Sequence, residues 1–251
     1  MTSKITNRLA IAEIAGRDSV AAAVAAVRTR GFTQLLPTIA FTGTEFGDAE
    51  QPLRTIDALR VHLGGACEVF EPVYLQEPRL WAAMNARYAT VIADRYGMCS
   101  PCLACHLYLH LLRVPLAWEA GGVPIIAGER DTHDGRIKLS QTAEGIDAAV
   151  RVLAYVGIEL LQPIRHASGE QVAKLASGAW KDGGDQLECL LSGNYTRLDG
   201  SVMLATDAYQ HYLAGYFEPV GRAVLDAWRT EADGGGAPEW DEIVRRVLGD
   251  G

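Results

Sequence analysis

RLAIAEIAGRDSVAAAVAAVRTR, residues 8–30, holds a complete strand-turn-helix unit. Residues 8–14 are an apolar run of strand length, and residues 18–30 are an Ala- and Val-rich helix stopping at Gly31. The joint between them is Ala15-Gly16-Arg17-Asp18-Ser19. Outward from this unit the same alternation continues. Strands are predicted at 35–44, 67–75, 123–128 and 158–164, and helices at 55–63, from Pro78 to Tyr96, at 104–119 with a bend at Pro115, and at 142–156. Helices between near-continuous apolar strands predict an α/β fold, an open, mostly parallel five-stranded sheet with helices on both faces. From residue 168 onward the chain is more helical, with glycine-rich joints at Gly183-Gly184 and Gly234 to Gly236. The expected division is therefore an α/β domain over 1–167 and a mainly helical appendage over 168–251.

Composition narrows the function. The 251 residues are 49% hydrophobic and 22% charged, which excludes a disordered chain, a collagen or a disulfide scaffold. Twenty-three basic against 31 acidic residues leave a net charge of −8, a field that repels polyanions and disfavours a general nucleic-acid binder. MTSKITNRLA lacks the apolar core of a signal peptide, and no run reaches the roughly 18 apolar residues of a membrane span, so a cytoplasmic location is expected. Of five cysteines, Cys99, Cys102 and Cys105 fall within seven residues, which points to thiol or metal chemistry rather than structural disulfides.

Ligands of open parallel sheets bind at the carboxyl ends of the strands. At the first such end, Gly16 permits close backbone approach, the helix offers free N–H groups, and Ser19 adds a hydroxyl, a combination suited to phosphate. Asp18 would repel that phosphate unless a divalent cation bridges the two, so a nucleotide with Mg²⁺ is implied. The competing reading makes Asp18 a helix cap beside a tight turn. Neither a GxGxxG fingerprint nor a GK[ST] loop is present.

Ile14-Ala15-Gly16-Arg17-Asp18-Ser19 resembles the SGGxDS signature of the PP-loop ATP pyrophosphatases. It matches at Gly16, Asp18 and Ser19 and departs at Ile14 and Ala15. The resemblance spans roughly residues 7 to 166 and implies a HUP-like sheet and ATP cleaved between its α and β phosphates. An acceptor carbonyl oxygen is adenylated and a nucleophile then displaces AMP. It further implies ATP contacts at Ala15, Gly16, Arg17 and Ser19, with Arg17 taking part of the missing serine's role. Asp18 would act through pyrophosphate-bound Mg²⁺, Thr42 and Gly43 would lie by adenine and ribose, and Gly128 would end the fourth strand.

Met98-Cys99-Ser100-Pro101-Cys102-Leu103-Ala104-Cys105-His106 places three thiols just ahead of a helix, where a thiol pKa is expected to fall. CxxC spacing serves a metal or a disulfide equally. One structural alternative is a Zn knuckle of Cys99, Cys102, Cys105 and either His106 or Cys189, and another is small buried hydrophobes. Cys67 reads as core. The segment is similar to that of the sulfur-inserting tRNA thiolases, which carry CxxC and a distant cysteine, here Cys189. That resemblance implies either a [4Fe-4S] cluster on three cysteines or a persulfide relay. The relay is the expectation, with Cys105 as sulfur carrier, Cys102 or Cys189 as resolving thiol, and a sulfur donor such as a cysteine desulfurase.

Glu129-Arg130-Asp131-Thr132-His133-Asp134-Gly135-Arg136 follows an apolar strand and is a site candidate at the ligand edge, against the alternative of a solvated loop. Arg130, Asp131, Lys138, Ser140 and Gln141 are candidates for acceptor binding and His166 for phosphate. His62 and His110 read as satisfied within packed faces, and Tyr209, Tyr212, Tyr216 and Phe217 as core. With no RNA-binding module and an acidic surface, the expected function is ATP-dependent sulfur transfer to a small, purine-like heterocycle. The alternatives are tRNA thiolation, an amide or amidine synthetase of the same fold, and a non-catalytic nucleotide-binding module. A homodimer is also allowed.

Overall fold

β1 (Leu9–Glu13) buries Ala10, Ile11 and Ala12 and turns through Ile14–Gly16 into α1 (Arg17–Arg30), which ends where Gly31 adopts φ 65°. The computed structural model describes residues 8–133, 135–180, 186–202 and 204–249; Asp134 and the Gly183-Gly184 joint lie outside them. β2 (Gln34–Ala40) and the short β3 (Glu45–Phe46) lead to α2 (Gln51–Leu63). The expected third strand is two, β4 (Glu68–Val69) and β5 (Val73–Leu75), both parallel to β2. Phe70-Glu71-Pro72 interrupts it, and Arg60 donates to the Val69 and Phe70 carbonyls at 3.1 and 3.2 Å, satisfying groups the broken strand leaves unpaired. The helix expected from Pro78 to Tyr96 is α3 (Pro78–Ala82), a π turn over Ala83–Arg87, and α4 (Ala89–Tyr96). α5 (Pro101–Leu111) and α6 (Val114–Glu119) are separated at Leu112-Arg113, so the chain bends just before Pro115, which sits in the first turn of α6. β6 (Ile125–Ile126), α7 (Ala143–Ala154) and β7 (Leu160–Leu161) follow. Beyond residue 167 come α8 (Gly169–Ala176), β8 (Glu188–Cys189), α9 (Thr206–Tyr212), a second π turn (Leu213–Phe217), α10 (Glu218–Ala232) and α11 (Trp240–Val247).

The sheet order is β4-β2-β1-β6-β7, with β5 also on β2, and every pairing in it is parallel. Ile11 faces Leu36 on one side and Ile125 on the other. The chain thus leaves β1 toward β2 and later returns to β1's other edge, so the topological switch lies between β1 and β6, just beyond Glu13 and Ile126. β3 and β8 form a separate antiparallel pair, Glu45 opposite Cys189.

Two apolar clusters cover the sheet. One joins α1 and α2 to Val172 and Ala176 of α8, so α1 is buried along its whole middle, from Ser19 to Val27. The other joins α5 and α7 to α9, α10 and α11. The segment after residue 167 therefore contributes to both. Tyr209, Tyr212, Tyr216 and Phe217 are buried as expected. Tyr216 also donates to the Met84 carbonyl at 2.6 Å, and Tyr96 to the Gly215 carbonyl at 2.8 Å, satisfying a carbonyl in each π turn. Among the described residues no helix is long and apolar enough to cross a membrane.

Candidate functional site

The turn after β1 is tied by one hydroxyl. Ser19 Oγ accepts from the Ala15 and Gly16 N–H groups, each at 3.0 Å, and donates to the Gly16 carbonyl at 2.6 Å. The first-turn amides of α1 have no partner within the helix and form its positive end. Gly128, just after β6, packs against this turn so closely that a Cβ there would sit 2.6 Å from both N and Cα of Ser19. Only glycine lets the two strand ends meet.

Above them opens a cavity of about 730 Å³ lined by residues 13–19, one face of α5, residues 128–130, and His133, Arg136, Lys138 and Gln141. Arg17, Arg113, Arg130, Arg136 and Lys138 face Glu13, Asp18 and Glu129 in its wall. In a chain of net charge −8 this is a local cationic excess, the polarity a polyphosphate requires. Arg130 is only 4% exposed; its Nε donates to Asp18 Oδ2 at 2.9 Å and its terminal nitrogen to the Thr132 and Ala167 carbonyls at 3.0 and 3.1 Å. Arg17 approaches the other Asp18 oxygen at 3.4 Å. Burial lowers the pKa of Lys138 and of His133. His133 Nε2 and Gln141 Oε1, on the cavity wall, are buried without a protein hydrogen bond, as atoms are whose partner is solvent or a ligand.

The cavity floor is a buried ionic network. α5 carries His106, His110 and, just past its end, Arg113 at positions i, i+4 and i+7, one face of a helix turned to the ends of β1 and β6. His110 Nδ1 lies 2.8 Å from Glu13 Oε1, and its Nε2 lies 3.2 Å from Glu129 Oε1, outside hydrogen-bond geometry. His106 Nδ1 reaches the same Glu129 oxygen at 2.8 Å, and Gln162 donates to the other at 3.2 Å. Arg113 Nε donates to Thr38 Oγ1 at 2.8 Å and lies 3.6 Å from Glu13. Burial favours the neutral form of every member, yet the opposite charges prevail at three of them. Glu13 and Glu129 are held below the usual carboxylate range by their cationic neighbours, and two carboxylates push His110 up to about 10. For Arg113 burial prevails and lowers the pKa.

Beside this floor α5 also bears thiols. Cys102 Sγ accepts from Asn194 Nδ2 at 3.3 Å and donates to the Leu191 carbonyl at 3.4 Å. Cys189 Sγ lies 3.1 Å from Thr44 Oγ1 and accepts from the Leu191 N–H at 3.4 Å. Cys105 Sγ accepts from Trp81 Nε1 at 3.3 Å. The three are electrostatic neighbours: Cys189 raises the pKa of Cys102, and both raise that of Cys105. Contrary to the expectation from a helix N-terminus, the Cys102 thiol is shifted up and that of Cys105 is pushed to about 12, because burial dominates. Cys99 is apart from them, packed on the larger apolar cluster and acting electrostatically on Tyr212 and Tyr216. Cys67 is buried, as expected of core.

The donor sets fit the implied groups unequally. Asp18 is the carboxylate of the turn after β1 and would hold Mg²⁺ only jointly with phosphate oxygens, since guanidinium groups already flank both its oxygens. For iron or zinc the fit is absent: Cys102, Cys105 and Cys189 each turn to a different partner. Among the described residues no three His, Cys, Asp or Glu side chains are arranged so that they could hold a metal ion.

The sequence-predicted residues thus divide. Ala15, Gly16, Arg17, Asp18, Ser19, Gly128, Arg130 and Gln141 line one cavity, and Cys102, Cys105 and Cys189 gather on the adjoining side of α5. Ser140 is buried but not on the wall. Thr42 and Gly43 do not face the cavity; both N–H groups donate to the Glu45 carboxylate at 2.9 Å, as does the Thr42 hydroxyl at 2.6 Å. Asp131 accepts from Arg165 at 2.9 Å and pairs with His166 at 2.9 Å, and these bind each other away from the cavity wall. His110 is buried and bonded to Glu13, as expected of a histidine satisfied within a packed face, and its carboxylate partners make it the centre of the floor. Sequence reasoning missed Glu13, Arg113, Trp81 and Asn194, and the pairing of His106 with Glu129. The i, i+4, i+7 spacing of His106, His110 and Arg113 was the available signal.

No family model matches the chain. It is 34% identical over 221 residues to an uncharacterized protein, MJ0009, of Methanocaldococcus jannaschii, covering 86% of this chain and 79% of that one. Among solved structures it is similar to a 4-thiouridine synthetase, solved as an RNA complex with bound ATP, with TM-score 0.54 and 13% identity. That match covers 98% of this chain, which spans about half, 54%, of the synthetase. A U34-tRNA thiolase, NcsA of Methanococcus maripaludis, solved with its [4Fe-4S] cluster, is similar at TM-score 0.39 and 15% identity, covering 97% of this chain and 73% of the other. The first structural likeness bears on the fold alone: the chain shares with that synthetase the α/β architecture with a parallel sheet that the sequence predicts.

Proposed function

The chain belongs to the family of the Methanocaldococcus jannaschii protein MJ0009, and from its site we propose that it is an ATP-dependent sulfurtransferase acting on the ring carbonyl of a small heterocycle. The observation that carries this reading is a single helix, α5, with a cationic phosphate cavity on one side and three neighbouring thiols on the other. The fold shared with a synthetase solved with bound ATP supports ATP as the ligand of that cavity.

In this reading the α1 amides, Arg17, Arg130 and Lys138 hold the phosphates. Mg²⁺, when bound with the phosphates beside Asp18, neutralises their charge. The acceptor carbonyl oxygen attacks the α-phosphorus and pyrophosphate leaves. Sulfur delivered by a donor such as a cysteine desulfurase rides on Cys105 as a persulfide, whose terminal sulfur attacks the activated carbon as AMP departs. Cys102 or Cys189 then attacks Cys105 Sγ; the S–S bond to the product breaks, the thiocarbonyl compound leaves, and a protein disulfide remains for an external thiol to reduce. The Trp81 N–H supports developing charge on the Cys105 sulfur. A net charge of −8 favours a small acceptor over RNA.

The test is pyrophosphate release from Mg-ATP with a panel of heterocycles, read together with mass spectrometry of the product. Cys105→Ser is expected to keep acceptor-dependent pyrophosphate release and lose thiolation. If the serine variant thiolates as well as wild type, sulfur transfer through this cluster is wrong, and if the purified protein does not bind ATP, the whole reading falls.

A further inference from the structure

We propose that His106 transfers the proton of the adenylation step, and that the acceptor is therefore a lactam, a ring HN–C=O rather than an isolated carbonyl. The inference rests on the ATP-dependent reading above. Three histidines line the cavity, and their surroundings separate them. His110 is 2% exposed and enclosed by Glu13 and Glu129, while His133 is 7% exposed among the cations Arg130 and Lys138. Of the three, the His106 ring alone combines substantial exposure, 31%, with a carboxylate fixing one of its nitrogens.

That carboxylate orients the ring. With Nδ1 donating to Glu129 at 2.8 Å, the proton of neutral His106 sits on Nδ1, which leaves the Nε2 lone pair free to accept. Glu129 is itself kept charged by His110 and held by Gln162, so a cation formed at His106 is met by an existing negative charge. His106 is also the helical neighbour of Cys105, on the boundary between nucleotide cavity and thiols.

The step balances without further reagents. The lactam oxygen bonds to the α-phosphorus of ATP and the bond to pyrophosphate breaks. The ring N–H pair becomes the C=N bond, and the proton passes to His106 Nε2. The persulfide sulfur attacks the carbon and AMP leaves. When the resolving thiol then attacks Cys105 Sγ and the S–S bond to the product breaks, the released pair delocalises onto the ring nitrogen. That nitrogen recovers the proton from His106, regenerating both the neutral imidazole and a thiolactam.

His106→Asn tests this, because the Asn amide still reaches for Glu129 but has no second nitrogen. Wild type and variant are given Mg-ATP with uracil, hypoxanthine or 2-pyridone, and with N-methyl-2-pyridone as the lactam lacking its proton. The expected result is pyrophosphate release from wild type with the N–H compounds but not the N-methyl one. In His106→Asn kcat falls about 100-fold or more, with KM for ATP and calorimetric ATP binding unchanged, and imidazole partly rescues His106→Ala. Full pyrophosphate release by His106→Asn, or equal release with N-methyl-2-pyridone, overturns the proposal and leaves the sulfurtransferase reading standing. Wild type that binds ATP but releases no pyrophosphate with any of these heterocycles overturns the lactam proposal and removes the small-heterocycle acceptor with it.

Discussion

The phosphate end and the thiol end of the site are built by different means. At the first, Gly128, Gly16 and Ser19 bring two strand ends and a helix start into backbone contact, and a buried arginine fixes Asp18. At the second, each sulfur is held by one or two side-chain or loop contacts from Thr44, Trp81, Leu191 and Asn194. Backbone packing tolerates no added atom, whereas hydrogen bonds to sulfur can shift singly. The difference suits the proposed reaction, in which phosphate would be placed once while sulfur changes partners. Substitutions at the two ends should accordingly differ in size and kind.

The floor beneath the phosphate end should give the largest effect. Glu129→Gln leaves His110 facing a single carboxylate in a buried setting, and removing one partner of a buried ion pair costs about 3–5 kcal/mol. Denaturant unfolding at pH 6 is the measurement. Stability should also follow the network's titration. Below 6.5 His110 binds its proton folded or unfolded and its contribution is complete; between 6.5 and about 10 only the folded form keeps the proton, so stability drains away as pH rises. Glu13 and Glu129 act oppositely, contributing fully above 4.5 and losing that contribution as pH falls through their lowered values. Wild type should therefore be most stable between these limits, and the difference between wild type and Glu129→Gln should shrink by pH 10. A difference unchanged from pH 6 to 10 would remove His110 from the network.

Next in size is Gly128→Ala. Its Cβ would meet the backbone of Ser19 at 2.6 Å, and overpacking of this kind costs about 1–3 kcal/mol. Because the displaced atoms form the phosphate turn, ATP binding should vanish while much of the fold survives, a pairing that thermal melts and calorimetry resolve together. Arg130→Ala should be milder, weakening ATP binding by about 10- to 100-fold through the loss of one charge-assisted contact worth about 1.5–3 kcal/mol. Tight ATP binding by both variants would mean that nucleotide enters elsewhere.

These same residues show what a sequence makes legible. The strand-turn-helix at residues 8–30 and the spacing of Gly16, Asp18 and Ser19 are local, so periodicity and turn chemistry expose them. Gly128 was visible because a strand end followed by glycine is also a local signal. The floor was not, since Glu13, His110 and Glu129 come from three elements and pair only after the sheet has formed. Asp131 and His166 misled for the converse reason: a polar strand end looks like a site until tertiary folding pairs its charges with one another. Cys102 and Cys105 were legible as a pair, but helix position alone suggested lowered thiol pKa values. Burial under a segment some ninety residues away reversed that shift, as the Cys102 contact with Leu191 records.

The smallest expected effect probes that reversal. Asn194 donates to Cys102 Sγ at 3.3 Å and accepts from the Ser100 hydroxyl at 2.8 Å, so it supports a thiolate while anchoring the start of α5. Removing an N–H donor from a sulfur destabilises its anion. Asn194→Ala should therefore slow alkylation of Cys102 by iodoacetamide at pH 8 by about threefold to tenfold, the change in thiolate fraction that follows from a contact worth about 1 kcal/mol. Greater exposure of the sulfur acts in the opposite direction, so the sign of the change separates the two. Slower alkylation identifies the hydrogen bond as the controlling factor, whereas faster alkylation means that Asn194 mainly shields the thiol. In that case the thiol end, like the phosphate end, is governed by packing.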